Sequence, residues 1–303
     1  MVMEIIHLSV DTPMQVHDSV CALGFFDGVH LGHQQLLKEV EHIAKEKGLK
    51  KAIMTFSVHP KQILENNDYH YLMSLSEKIN ILKQWQFDYF YIIDFDQTVA
   101  NLKPNTFLQN YIINHQIKHV VCGFDFHFGK KGMGDVHVLQ ENKSFDVTVI
   151  EEYSEDALKV SSSYIKKLLN EGNIEKANHL LTRFYRVSGQ VIYGLQNGRK
   201  IGFPTANIDY GHYVVLKKGV YGVYITIKGK QYKGMANIGY NPTVGLIDNL
   251  SLVNIFDFDQ DIYGKDVDVD FVFRVRDEKK FKSLNHLKEQ LQKDKKHIDQ
   301  FLD

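Results

Sequence analysis

The chain has 303 residues, enough for two domains that each bury a core of their own. Its 44% hydrophobic and 24% charged residues are those of an ordinary globular protein, and a formal net charge of −1 excludes a broad electrostatic grip on nucleic acid or an anionic membrane surface. Cys21 and Cys122 lie in apolar runs before glycine-containing loops and read as buried, reduced thiols, Met1 to Glu4 opens no leader pattern, and no stretch approaches membrane-spanning length. The expectation is a cytoplasmic protein.

The first predicted strand is Val20-Cys21-Ala22-Leu23. It runs into Gly24-Phe25-Phe26-Asp27-Gly28-Val29-His30-Leu31-Gly32-His33 and then a helix marked by Leu36, Leu37, Val40, Ile43 and Ala44. Both histidines then fall where the loop turns into the helix. Free N–H groups and the helix dipole attract anions there, and two imidazoles could hydrogen-bond a triphosphate. The pair also suits helix caps. A metal-ligand reading lacks a Cys or carboxylate cluster at zinc spacing, and neither the Walker A nor the dinucleotide glycine pattern is present.

Lys51–Phe56 reads as a second strand, Ser76-Glu77-Lys78 opens a helix through Ile81 and Leu82, and Tyr89–Ile93 is a third strand. Pro104 starts a helix through Phe107, Leu108 and Ile112, and His119–Cys122 is a fourth strand, so a parallel α/β sheet is expected. The fourth strand runs into Gly123-Phe124-Asp125-Phe126-His127-Phe128-Gly129-Lys130-Lys131-Gly132. This is either a packed turn or an aromatic wall for a planar ring, with Asp125 as a polar selector. Lys159-Val160-Ser161-Ser162-Ser163-Tyr164-Ile165-Lys166-Lys167 sets hydroxyls and cations at a helix start, as N-caps or as a phosphate clamp. Helices through Ile174 to Leu181 close the first domain. Short strands follow at Tyr185–Tyr193, Val220–Ile227, Gln231–Ile238, Leu250–Phe258 and Val267–Val275, the pattern of a small antiparallel barrel. A last helix from about Ser283 carries Leu284, Leu287, Leu291 and Ile298 on one face.

His30-Leu31-Gly32-His33 resembles the HxGH signature of the nucleotidylyltransferase superfamily, and the longer GFFDGVHLGH resembles the prokaryotic FAD synthetases. In that family an adenylyltransferase module precedes a riboflavin kinase module. The resemblance implies a Rossmann-like nucleotidylyltransferase domain over residues 1–183 and a riboflavin kinase-type barrel with a terminal helix over 184–303. Gly123 to Gly129 is similar to the family's GxDFxFG segment at the FMN and ATP site. Thr55-Phe56 and His59-Pro60 resemble its TFDPHP segment, with Ser57 and Val58 in place of Asp and Pro. The serine-rich start resembles ISSTxIR, with Ser163 for Thr and Lys166 for Arg, so the charge stays while the bidentate fork is lost. Gly198-Arg199-Lys200-Ile201-Gly202-Phe203-Pro204-Thr205-Ala206-Asn207 resembles the kinase signature GRxxGFPTAN, although the residues alone also fit a glycine-rich crossover loop.

By resemblance His30, His33, Asp27 and Lys166 are the catalytic set. Gly24, Phe25, Gly28, Gly123, Asp125, Phe126, Phe128, Lys159, Ser162, Ser163, Gly202, Pro204, Thr205 and Asn207 bind substrate, and Thr205 and Asn207 give oxygens to Mg2+. The substrates are ATP and FMN, or riboflavin, with no nucleic acid or membrane partner, and the sequence is silent on oligomeric state. One position departs: counted without a gap from Pro242-Thr243 or Phe256-Asp257, the family's catalytic glutamate falls on Leu252, and Asn241 replaces a basic residue. A leucine accepts no proton, and the nearest spare carboxylate, Asp248, is four residues off register. The expectation is FMN adenylyl transfer to FAD and pyrophosphate with a weak or lost kinase. The alternatives are a fully bifunctional enzyme, a barrel that senses flavin or nucleotide, and a transferase for another phosphorylated acceptor.

Overall fold

The computed structural model describes residues 3–10, 12, 17–66, 68–193, 202–239 and 250–302, and of 250–252 the backbone alone. Arg199, Asn241, Pro242, Thr243, Asp248 and the side chain of Leu252 lie outside what is described. The chain forms two compact units, Met1–Tyr69 with Leu75–Ser161, and His70–Ser74 with Ser162–Asp303.

The first unit is built on a parallel sheet of β1 (Glu4–Leu8), β2 (Ser19–Leu23), β3 (Lys50–Phe56), β4 (Tyr89–Ile93), β5 (Ile117–Gly123) and β6 (Asp146–Ile150). The spatial order is β1-β4-β3-β2-β5-β6. Around it are α1 (Leu31–Lys47), α2 (Pro60–Leu64), α3 (Leu75–Gln84), α4 (Gln97–Ala100), α5 (Pro104–Leu108) and α6 (Val136–Glu141), and β7 (Ser154–Glu155) pairs with β8 (Leu158–Lys159). Every residue of β2 is buried, which is why its sequence from Val20 onward is a continuous apolar run. Phe107, Leu108, Tyr111 and Ile112 join the core, with the helix from Pro104 passing into a π turn over Gln109–Ile113.

Strand order decides where a ligand fits. From β2 the chain steps outward to β3 and β4, then crosses to β5 and β6 on the other side. The switch therefore lies between β2 and β5, whose ends pair as Leu23↔Cys122. Ligands of open α/β sheets bind beyond the carboxyl ends of strands at such a point, and the two loops carrying the GFFDGVHLGH and GFDFHFG stretches leave the sheet there side by side. Cys21 and Cys122 are buried free thiols, and burial raises both pKa values.

The second unit contains α7 (Ser162–Glu171), α8 (Ile174–Leu181), a closed six-stranded barrel and α9 (Leu284–Phe301). The strands are β9 (Tyr185–Ile192), β10 (Ala206–Asp209), β11 (Gly219–Ile227), β12 (Lys230–Ile238), β13 (Leu250–Ile255) and β14 (Asp266–Arg276), all antiparallel in the order β10-β13-β12-β11-β14-β9. The compact units divide after Ser161, ahead of the boundary expected after residue 183. Asn178 explains this: its Nδ2 donates to the carbonyls of Phe271 and Val272 at 2.9 and 3.1 Å, and its Oδ1 accepts from the Tyr185 N–H at 2.7 Å, tying α8 to the barrel.

Among the described residues five strands are absent from the sequence expectations, the two-residue pair β7 and β8 among them. β1 and β6 are short edge strands, and β10 lies inside the motif read as a loop. The expected apolar face of α9 also needs correction, since Leu284 is 66% exposed. The buried positions are Ile298 and Asp294, and the Asp294 carboxylate is held by Arg276 Nη2 at 2.7 Å and Gln290 Nε2 at 2.8 Å.

Candidate active site

The loop from β2 to α1 is tightly constrained backbone near the sheet's switch point. Phe26, Gly28 and Val29 have φ of 55°, 94° and 41°, and the left-handed region is costly for a β-branched valine. Phe26 and Val29 are fully buried, so packing holds the strained path. The Phe26 ring lies across Gly24, where a Cβ would come within 3.1 Å of it. The loop ends at His30, the N-cap of α1, whose Nδ1 accepts from the His33 backbone N–H at 3.3 Å. A neutral His30 therefore keeps its proton on Nε2. The His30 and His33 rings stack at 3.7 Å between centroids, and Phe26 meets the His33 ring edge-on at 5.3 Å. A Cβ on Gly32 would approach His30 Cε1 at 3.2 Å and the Val160 carbonyl at 3.3 Å, so glycine is what lets these elements close. No acidic residue occupies the first turn of α1, so its dipole favours an anion there.

Asp27 is buried, and against Phe25 in the same loop is a residue that sequence reasoning passed over. Lys78 of α3 is 3% exposed, donates to the Phe25 carbonyl at 2.5 Å and lies 4.2 Å from the centre of the Phe25 ring. Thr55 Oγ1 donates to the same carbonyl at 3.1 Å. Burial pushes the Lys78 amine down to about 8, opposed by the Asp27 carboxylate. A lysine in the first turn of an amphipathic helix gives no sequence signal that it is buried.

On the β5 side, Phe126 joins Gly24, Thr55, Phe56 and Phe107 around a small pocket at the strand ends. Phe128 sits deeper, in the core, with its ring 5.3 Å from Phe107 and 5.8 Å from Phe126. Asp125 is exposed, and its Oδ2 accepts from Lys159 Nζ at 2.8 Å, with that amine 4.4 Å over the Phe124 ring. A Cβ on Gly123 would lie 3.3 Å from Asp125 Oδ1. Gly123, Asp125, Phe126 and Lys159 are thus gathered at the switch point with Gly24, Phe25, Asp27, Gly28, His30 and His33.

Ser162, Ser163 and Lys166 occupy the start of α7 in the second unit, where Lys166 Nζ donates to the His70 carbonyl at 2.7 Å. In the barrel, a cavity of about 410 Å3 is lined by Val191, Pro204, Thr205, Val253, Phe258 and Tyr263 among others. Gly202, with φ of 81°, turns the chain into this segment, and the Pro204 carbonyl accepts from Asn254 Nδ2 at 2.6 Å. Asn207 is 5% exposed with its Oδ1 unpartnered among the described residues. A buried amide oxygen without a donor, two residues along the chain from Thr205, has the hard-oxygen chemistry that suits a divalent cation. Among the described residues no cluster of three His, Cys, Asp or Glu side chains could hold a metal. Backbone register aligns Leu252 with Asn207 on one side and Asn237 on the other.

Residues 12–164 match the family model of FAD synthetase, and residues 181–302 match that of riboflavin kinase. The chain is 41% identical over 285 residues to the bifunctional riboflavin kinase/FMN adenylyltransferase of Bacillus subtilis, covering 91% of this chain and 90% of that protein. It is 39% identical over 290 residues to the protein of the same description from Listeria monocytogenes, covering 94% and 92%. A solved structure described as a macrolide-efflux protein of Streptococcus pneumoniae superposes with a TM-score of 0.87 at 32% identity, over 97% of this chain and 98% of that one. Among the described residues no helix is long and apolar enough to cross a membrane.

Proposed function

Because the chain belongs to the family of bifunctional riboflavin kinase/FMN adenylyltransferases, we propose that it adenylylates FMN efficiently at the β2–β5 switch point and phosphorylates riboflavin slowly, if at all, in its barrel. In the first reaction an FMN phosphate oxygen attacks the α-phosphorus of ATP in line. The bond to the bridging oxygen of the β-phosphate breaks, and pyrophosphate leaves as FAD forms. The FMN phosphate is already a competent nucleophile, so catalysis is positioning and charge stabilisation. The observation that carries this reading is the stacked His30 and His33 pair at the N-terminus of α1. Neutral His30 would donate from Nε2 to a phosphate oxygen, and His33 would steady the charge that moves to the leaving group. Asp27 and Gly28 shape the nucleotide loop, and Phe126 and Asp125 face the flavin side. Ser162, Ser163 and Lys166 are assigned to pyrophosphate by their likeness to the family segment.

The functional boundary is drawn between residues 183 and 184. Thr205 and Asn207 would hold Mg2+ in the barrel, where the ion offsets phosphate charge when bound. The slow kinase is argued from Leu252, whose backbone partners are Asn207 and Asn237. A leucine in that row supplies no general base, and losing one typically costs about 10² to 10⁴ in rate. Full bifunctionality is the rival, favoured by the 41% identity to a protein described as having both activities. A barrel that binds nucleotide without turnover is the third reading. Incubation with ATP and Mg2+, with FMN in one reaction and riboflavin in another, separates them.

A further inference from the structure

Lysine is among the residues least often buried, because its charge loses water and must be given partners. Lys78 is nonetheless 3% exposed, on the same face of α3 as the buried Leu82. The groups against its amine are the carbonyl and ring of Phe25 and the hydroxyl of Thr55 on β3 at 3.5 Å, and the Asp27 carboxylate is the charge that opposes the effect of burial on it. All four belong to the strained loop or to the strand beside it. Immediately after Phe25 the chain enters the left-handed conformations of Phe26, Gly28 and Val29 that end at the cap of α1. A buried cation fixed at the entrance of that path does what apolar packing alone cannot: it sets the orientation of one carbonyl.

We propose that Lys78 is a positioning residue for adenylyl transfer, whose ammonium pins the Phe25 carbonyl and so holds the loop that delivers His30 and His33 to the helix N-terminus. The inference rests on the reading of that loop as the adenylyl-transfer site. Its logic is a trade of stability for geometry, since a buried charge costs desolvation while a misplacement of about 1 Å at reacting groups can cost about 10² in rate. Deprotonation removes the clamp, and burial brings that event down to about pH 8.

The test is FMN adenylyl transfer by the full-length protein from pH 6 to 9.5, with kcat and KM for both substrates, for the unaltered chain, Lys78→Met, Lys78→Arg and Thr55→Val. Thermal unfolding is followed in parallel. Lys78→Met is expected to lower kcat at pH 7 by about tenfold or more, with an unfolding temperature no lower than that of the parent. The parent's kcat should decline above about pH 8, and Lys78→Arg should shift that decline to higher pH, because a guanidinium keeps its proton. Thr55→Val should cost a few-fold. A Lys78→Met kcat within about twofold of the parent overturns the proposal, as does a loss matched by a lowered unfolding temperature. Should Lys78→Met not fold, the Lys78→Arg profile decides: a displaced decline supports the clamp, and an unmoved one overturns it. A parent that makes no FAD overturns the functional reading itself, whereas FAD synthesis indifferent to Lys78 overturns the clamp alone.

Discussion

The imidazole rings of His30 and His33 stack 3.7 Å apart, and the N–H of His33 is spent on Nδ1 of His30. One histidine therefore both caps α1 and orders its neighbour, and the two are expected to respond differently to truncation. His33→Ala should reduce FAD formation by about tenfold or more with little change in stability, the range of a lost transition-state donor. His30→Ala should do the same and also lower unfolding stability by about 1 kcal/mol, the usual cost of a lost cap. Steady-state kinetics with denaturant melts of both variants check this, and equal stability losses would contradict the asymmetry.

Gly32 offers an unusual test, because helix propensity and site geometry oppose each other there. Alanine is favoured over glycine by about 1 kcal/mol within a helix. Its Cβ, however, would press on His30 Cε1 at 3.2 Å and on the Val160 carbonyl at 3.3 Å. Gly32→Ala should leave stability within about 1 kcal/mol of the parent while reducing kcat by about tenfold. A variant as active as its parent would show that the close approach is dispensable.

The pH dependence of stability should carry the mark of Lys78. Its amine is lowered from 10.5 to about 8 by burial, with Asp27 opposing. Between those values the unfolded chain holds a proton that the folded chain has released, so stability from this group rises with pH across that window. Below about pH 8 the buried charge is a net cost on the order of 3 kcal/mol relative to a neutral group. Lys78→Met should thus be the more stable protein at pH 7, and its advantage should shrink as the pH is raised through 8 to 10. Urea unfolding of both proteins at pH 7, 8.5 and 10 measures it, and a constant difference would contradict the assignment.

Leu252 shares its backbone row with Asn207 and Asn237, the row in which a base would be useful. Leu252→Glu should raise riboflavin phosphorylation at least several-fold without altering FAD synthesis. Full recovery is not expected, because Asn241 also departs from the family pattern and a carboxylate withdrawn from water tends to keep its proton. Rates of FMN formation by the two proteins, at saturating ATP and Mg2+, decide the matter.

The sequence made the central strands and both loops at the switch point readable, because apolar runs such as Val20–Leu23 and His119–Cys122 break sharply into glycines. The edge strands β1 and β6 carried weaker signals: Ile5 and Ile6 alternate over only five residues, and β6 is only half-buried. β10 was hidden by its own motif, since Ala206 and Asn207 read as loop residues until pairing with β9 and β13 is seen. Lys78 was invisible for a different reason. Nothing local distinguishes a lysine that turns inward from one that stays in water, and its burial follows from where the Phe25 carbonyl lies. The association of α8 with the barrel is likewise nonlocal, resting on Asn178 reaching Phe271 and Val272.

The most direct measurement of the whole account is the initial rate of product formation by the unaltered protein with ATP and Mg2+, once with FMN and once with riboflavin, followed by separation of FMN, FAD and pyrophosphate. The account expects FAD and pyrophosphate in equal amounts from FMN, and FMN and FAD together from riboflavin at a rate lower by at least about 10². No FAD from FMN, or riboflavin phosphorylation at a rate comparable with FAD synthesis, would contradict it.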